Sequence, residues 1–140
     1  MSDSEITVSI GEDYPEIREA VRRICIGFPG RYWQDLEAKE AYPAEFVQAL
    51  TESGYLGCLI PEAFGGSGLG IAAASAILGE IHQSGGNGGA CHAQMYIMGT
   101  LLRHGSTAQK SAYLPQIASG ALRLQAFGVT EPGAGTDTTA

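Results

Sequence analysis

Residues 127–137 read Phe-Gly-Val-Thr-Glu-Pro-Gly-Ala-Gly-Thr-Asp, and just before them Leu122, Leu124 and Ala126 alternate with Arg123, Gln125 and Phe127. A period of two predicts a half-buried β-strand, and Thr130-Glu131-Pro132-Gly133 predicts the turn that closes it. The next residues, GAGTDTT, permit tight backbone approach and carry several hydroxyls, so they can offer neutral donors to an anion. An ordinary hairpin turn accounts for the same spacing.

Upstream the period is that of helices. Ile17, Ala20, Val21, Ile24 and Phe28 share one face of a segment from Tyr14 to Phe28, with Glu16, Arg18, Glu19, Arg22 and Arg23 on the other, and Pro29-Gly30 ends it. Pro43 suits the first turn of a second helix with Phe46, Val47 and Leu50 on its face. Residues 55–70 hold five glycines and a proline, the chemistry of a loop between packed elements. Ile71, Ala74, Ser75, Leu78 and Ile81 keep the spacing of a third helix, which Gly-Gly-Asn-Gly-Gly at 85–89 stops. A fourth runs through Met95, Met98, Leu101 and Leu102 to Gly105. Ser106 and Gln109 then have the spacing of a capping box for a fifth, and Pro115 breaks or restarts it.

The expected architecture is therefore mainly α: about five helices over residues 1–120, followed over residues 121–140 by the first strand and glycine-rich turn of a β domain. A single strand leaves its backbone donors and acceptors unpaired, so it calls for neighbours that these 140 residues do not provide.

Composition narrows the function classes. Apolar residues make up 44% and charged residues 16%, and no uninterrupted apolar run is long enough for a membrane span. A net charge of -7, with only two lysines beside six arginines, opposes binding to a phosphate backbone, which needs clustered Lys or Arg, so nucleic acid is not expected as a partner. The acidic start shows neither an export nor a transit pattern, which favours a cytoplasmic protein. Cys25, Cys58 and Cys91 are far apart and set in apolar stretches, as buried free thiols would be, and with His82, His92 and His104 they form no metal-ligand spacing.

Two further motifs invite a functional reading. Gly68-x-Gly70-x-x-Ala73 has the outline of a dinucleotide fingerprint, but Pro61 and Phe64-Gly65-Gly66 stand where a strand should lead into it, and no acid follows at the required distance. It is read as a loop and helix start. Met95, Tyr96, Met98, Leu101 and Leu102 could wall an apolar ligand channel, although such a stripe is more often core. His92 reads as a capping or surface histidine.

Residues 127–137 resemble the TEPxAGSD signature of acyl-CoA dehydrogenases, which opens the middle β domain of that family. The run from Pro43 to Gly70, with PEAFGGSGLG at 61–70, and the run from Gly105 to Pro132, with QKSAYLPQIASG at 109–120, are similar to the family's approach to that signature. The resemblance extends over nearly the whole chain from about Tyr14. It implies an N-terminal helical bundle of acyl-CoA dehydrogenase type. It also implies FAD as cofactor and α,β-dehydrogenation of acyl-CoA thioesters, with an electron-transfer flavoprotein or similar acceptor and a homotetrameric full-length enzyme.

Carried over by residue, the flavin-contacting strand falls on Phe127, Val129 and Thr130, with Gly135 and Thr136 near the FAD pyrophosphate and Thr136 also near the bound thioester. The family's usual serine is Thr136 here, which keeps the hydroxyl and adds a methyl. Gly128 implies close packing, and Glu131 belongs to the turn, since the family's proton-abstracting carboxylate lies in its C-terminal helical domain, beyond Ala140. The resemblance thus implies no catalytic residue in this chain and no activity from it alone. Related acyl-CoA oxidases and flavin monooxygenases share similar signatures, and a non-catalytic helical interaction module is the reading from a different class.

Overall fold

The computed structural model describes residues 13–138. Six α-helices are present among them: α1 (Pro15–Ile26), α2 (Gly30–Ala38), α3 (Ala44–Glu52), α4 (Ile71–Gln83), α5 (Gly89–His104) and α6 (Thr107–Ser119). Two short 3-10 turns, Tyr55–Gly57 and Glu62–Phe64, shape the glycine-rich loop between α3 and α4. No helix among the described residues is long and apolar enough to cross a membrane.

Pro15 sets the first turn of α1, where its missing N–H is no loss, and Glu16 and Arg23 sit at the helix ends that favour their charges. Its buried Val21 and Cys25 face the bundle, and the helix packs chiefly on α4. Across that contact Arg22 Nε donates to Glu80 Oε1 at 2.8 Å, and Arg18 Nη1 lies 3.9 Å from Glu80 Oε2. Glu80 is almost wholly buried, so it needs this cationic pair; its hydrogen bond and charge in turn raise the Arg22 guanidinium above its ordinary pKa. The face of α4 is rotated from its expected position. Ala74 and Ile81 are buried and Leu78 partly so, but Ile71 and Ser75 are exposed, and Ala73 and Ile77 fill the interior instead.

Helix α2 was not expected, because Pro29-Gly30 reads as a stop. It both ends the first helical segment and starts the next. None of its residues is fully buried. Its hold on the bundle is aromatic: Tyr32 and Trp33 join Phe28 and Phe46 through edge-to-face ring contacts of 4.8–5.2 Å. Trp33 Nε1 also donates to the Phe28 carbonyl at 3.0 Å.

The interior has two parts. The larger gathers Val21, Phe46, Val47, Leu50, Leu56, Ile77 and Ile81 with the three free cysteines, all buried as expected. Burial pushes the Cys58 thiol up to about 11 and the Cys91 thiol to about 12. The smaller gathers Ile60, Met98, Leu114 and Ile117. Gly66 lies against it: a Cβ there would collide with the Ile60 carbonyl and side chain, so only glycine fits.

Helix α6 opens with the expected capping box, Gln109 N–H to Ser106 Oγ at 3.2 Å and Ser106 N–H to Gln109 Oε1 at 2.8 Å. It runs through Pro115 without stopping, contrary to expectation. The buried side chains on either side of the proline, Leu114 and Ile117, hold the helix in place through packing.

The expected strand is not formed as part of a sheet. Residues 121–130 run without a ladder among the described residues, and a single isolated bridge joins Glu131 to Ala134. A strand needs a partner edge, and the described residues supply only helices beside it. Over residues 122–125 the alternation survives, with Leu122 and Leu124 against the smaller core and Arg123 and Gln125 on other partners, whereas Ala126, expected on the apolar side, is exposed.

Candidate functional site

Gly120 closes α6 with φ +80 and turns the chain back across the bundle. Here the glycine is required twice, by the left-handed backbone and by space, since a Cβ would lie 2.8 Å from Thr51 Cγ2 and 3.1 Å from Arg123 Nη2. Beyond it, Leu122 and Leu124 pack on the smaller core. Arg123 and Gln125 reach the other way, to α3, α5 and the loop before α3.

Arg123 Nη1 donates to Thr51 Oγ1 at 3.1 Å and to Gln94 Oε1 at 3.4 Å, and Nη2 donates to Gln48 Oε1 at 3.0 Å. Gln125 Nε2 donates to the Tyr42 hydroxyl at 2.7 Å and to the Ala90 carbonyl at 3.2 Å. The Tyr96 hydroxyl donates to the Gln125 carbonyl at 3.3 Å, and its ring meets Phe127 edge to face at 5.0 Å. His92, exposed as expected, also meets the Tyr96 ring edge to face, at 5.3 Å. Three alternate residues, 123, 125 and 127, thus fasten one segment to the helices.

Phe127 and Val129 are 61% and 45% exposed, and Thr130, Gly135 and Thr136 are exposed too. The Glu131 and Ala134 backbones exchange hydrogen bonds of 3.2 and 3.1 Å, which puts Phe127, Val129 and Thr130 on one arm of a tight turn and Gly135 and Thr136 on the other. Glu131 takes part through its backbone, in keeping with a turn role. Among the described residues a Cβ on Gly128, Gly133 or Gly135 would meet no atom within 4 Å, so there is open space beside these three glycines.

The methionine stripe divides. Met95 and Met98 are buried core, whereas Tyr96 leaves the core and becomes the support for the tail. A cleft of about 550 Å³ at the ends of α1 and α4, lined by Arg22, Cys25, Ile26, Glu80 and Ser84 among others, contains none of the site residues expected from sequence. Sequence reasoning missed Arg123, Gln125, Gln94 and Tyr42 as parts of this site. Arg123 and Gln125 are visible in the sequence as the polar half of the alternation, but a period of two does not say what such residues bond to.

Residues 11–121 match the family description "Acyl-CoA dehydrogenase, N-terminal domain". The chain belongs to the acyl-CoA dehydrogenase family. It is 30% identical over 138 residues to acyl-CoA dehydrogenase FadE12 of Mycobacterium tuberculosis, covering 98% of this chain and 35% of that protein. It is 35% identical over 127 residues to glutaryl-CoA dehydrogenase of Desulfococcus multivorans, covering 87% and 31% respectively. Among solved structures, the glutaryl-CoA dehydrogenase–glutaryl-CoA complex superposes with a TM-score of 0.74 at 28% identity, over 96% of this chain and 35% of that one. The chain therefore spans about a third of the length of these acyl-CoA dehydrogenases, and the part it matches is their N-terminal helical domain.

Proposed function

We propose that this chain is the N-terminal part of an FAD-dependent acyl-CoA dehydrogenase that carries out α,β-dehydrogenation of acyl-CoA thioesters, and that residues 127–136 are its share of the flavin and substrate site. The observation that carries the reading is the family signature itself, FGVTEPGAGTD, held against α5 with its apolar edge and hydroxyls left open.

These residues fit a flavin. Phe127 and Val129 give an exposed apolar edge beside backbone that no ladder occupies among the described residues, and Thr130 adds a hydroxyl donor. Such an arrangement suits a flat ring with a polar rim. Gly135, with open space beside it, and the exposed Thr136 suit a phosphate oxygen, and the Thr136 hydroxyl is the group for a bound thioester. Bound FAD would supply the oxidising power. The chain's own part is to hold the ring's edge, orient it and help exclude water as a pocket closes over Phe127 and Val129.

The carboxylate that takes the α-proton would come from protein outside these 140 residues, so the segment alone would not turn over. The complete protein would form a homotetramer, pass electrons to an electron-transfer flavoprotein or similar acceptor, and work in the cytoplasm. Titrating the isotope-labelled chain with FAD tests its share of the site. Saturable amide shifts confined to residues 127–136 are expected. Shifts scattered over α1–α4, or none, would contradict the flavin-facing role.

A further inference from the structure

The root of the flavin-facing stretch is fastened more elaborately than an extended segment needs. Among the described residues Arg123 has no carboxylate hydrogen-bond partner; its three acceptors there are neutral and come from two helices, Gln48 and Thr51 on α3 and Gln94 on α5. Two of these acceptors are themselves held. The Thr51 hydroxyl donates to the Val47 carbonyl at 2.7 Å, which leaves its oxygen to accept, and Gln48 Nε2 donates to Glu52 at 2.9 Å, which turns its oxygen outward. Gln94 is buried with its oxygen toward the guanidinium, and its Nε2 has no partner among the described residues. An unpaired buried amide is costly, so the bond to Arg123 is what that orientation serves.

We propose that Arg123 is a positioning residue for the flavin site: its planar fork, seated on Thr51, Gln94 and Gln48, fixes the root of the stretch so that Phe127 meets Tyr96 and Val129 and Thr130 face outward in one orientation. This rests on the flavin reading above. The guanidinium is suited to the task because it bonds several acceptors in a set geometry, whereas a lysine ammonium on a flexible stem does not. From Arg123 to Phe127 the chain covers about 13 Å at strand rise. Gln125 and Tyr96 hold the middle of that span, so a fixed root and a fixed tip define its path. Gly120 belongs to the same device, because a Cβ there would press on Thr51 Cγ2 at 2.8 Å and on the guanidinium at 3.1 Å.

The test uses the full 140-residue chain, comparing wild type with Arg123→Ala and Arg123→Lys by NMR. In the wild type, cross-ring Overhauser contacts between Tyr96 and Phe127 are expected. Both variants should lose or weaken them, with lysine the milder, while the Trp33–Phe46 contacts stay intact. Apparent FAD affinity, read from shifts at Val129 and Thr130, should fall about tenfold in Arg123→Ala through lost preorganisation. Unchanged Tyr96–Phe127 contacts in Arg123→Ala, or equal FAD affinity in wild type and variant, would overturn the positioning role. So would equal loss of the Trp33–Phe46 contacts in both variants, which would make Arg123 a general stability residue. If the ring contacts respond as expected but wild type shows no FAD shifts, the flavin reading fails and the proposal's link to flavin fails with it, leaving only a structural clamp.

Discussion

The helical bundle and the tail that crosses it are held by different physics. In the bundle, buried apolar side chains from α1, α3, α4 and α5 close the larger core, and one buried carboxylate is answered by two arginines. In the tail, Leu122 and Leu124 touch the smaller core, but the path is set by polar side chains at alternate positions and by one ring contact. Apolar burial is strong and tolerant of direction, while hydrogen bonds are weaker and directional. A segment that must present a defined edge is better fixed by the second kind.

That contrast can be broken from the bundle side. Replacing Phe46, fully buried and in ring contact with Phe28 and Trp33, by alanine should cost about 3–5 kcal/mol, read as a fall in denaturant midpoint. The thiols offer a gentler probe. With Cys58 pushed from 9.0 up to about 11, its thiolate fraction at neutral pH falls about a hundredfold. Alkylation of Cys58 in the native chain should be slower than in denaturant by at least that factor, and mass spectrometry of timed samples would show it. Gln125→Ala sharpens the comparison from the other side. It should lower bundle stability by less than about 1 kcal/mol, because its bonds lie at the margin. It should nonetheless weaken the Tyr96–Phe127 ring contact, which NMR would detect.

Most of the bundle could be read from sequence because its helices carry clear signals: an amphipathic face in α1, a capping box in α6, and glycine-rich breaks around α4. Helix α2 was hidden because it lies on the bundle through two aromatic rings and buries no residue completely, so its apolar period is faint. The rotation of α4 was hidden because its alanines fit several faces equally well. Pro115 misled because the local rule against interior proline was outweighed by packing of Leu114 and Ile117. In the tail, the period of two was visible and is real. What it could not convey was that both sides of the segment would be engaged, Arg123 by side chains of α3 and α5 and Gln125 by the Tyr42 hydroxyl, 83 residues away, and the Ala90 carbonyl. The motif residues Phe127, Val129, Thr130, Gly135 and Thr136 came from family resemblance, and the structure adds the support that holds the first of them.

The most direct test of the central claim is to express the gene's complete reading frame and measure acyl-CoA-dependent reduction of an artificial electron acceptor, alongside the flavin content of the purified protein. Bound FAD with acceptor reduction that requires an acyl-CoA is the predicted result. A well-folded product that neither retains nor binds FAD, and reduces no acceptor with any acyl-CoA, would contradict it.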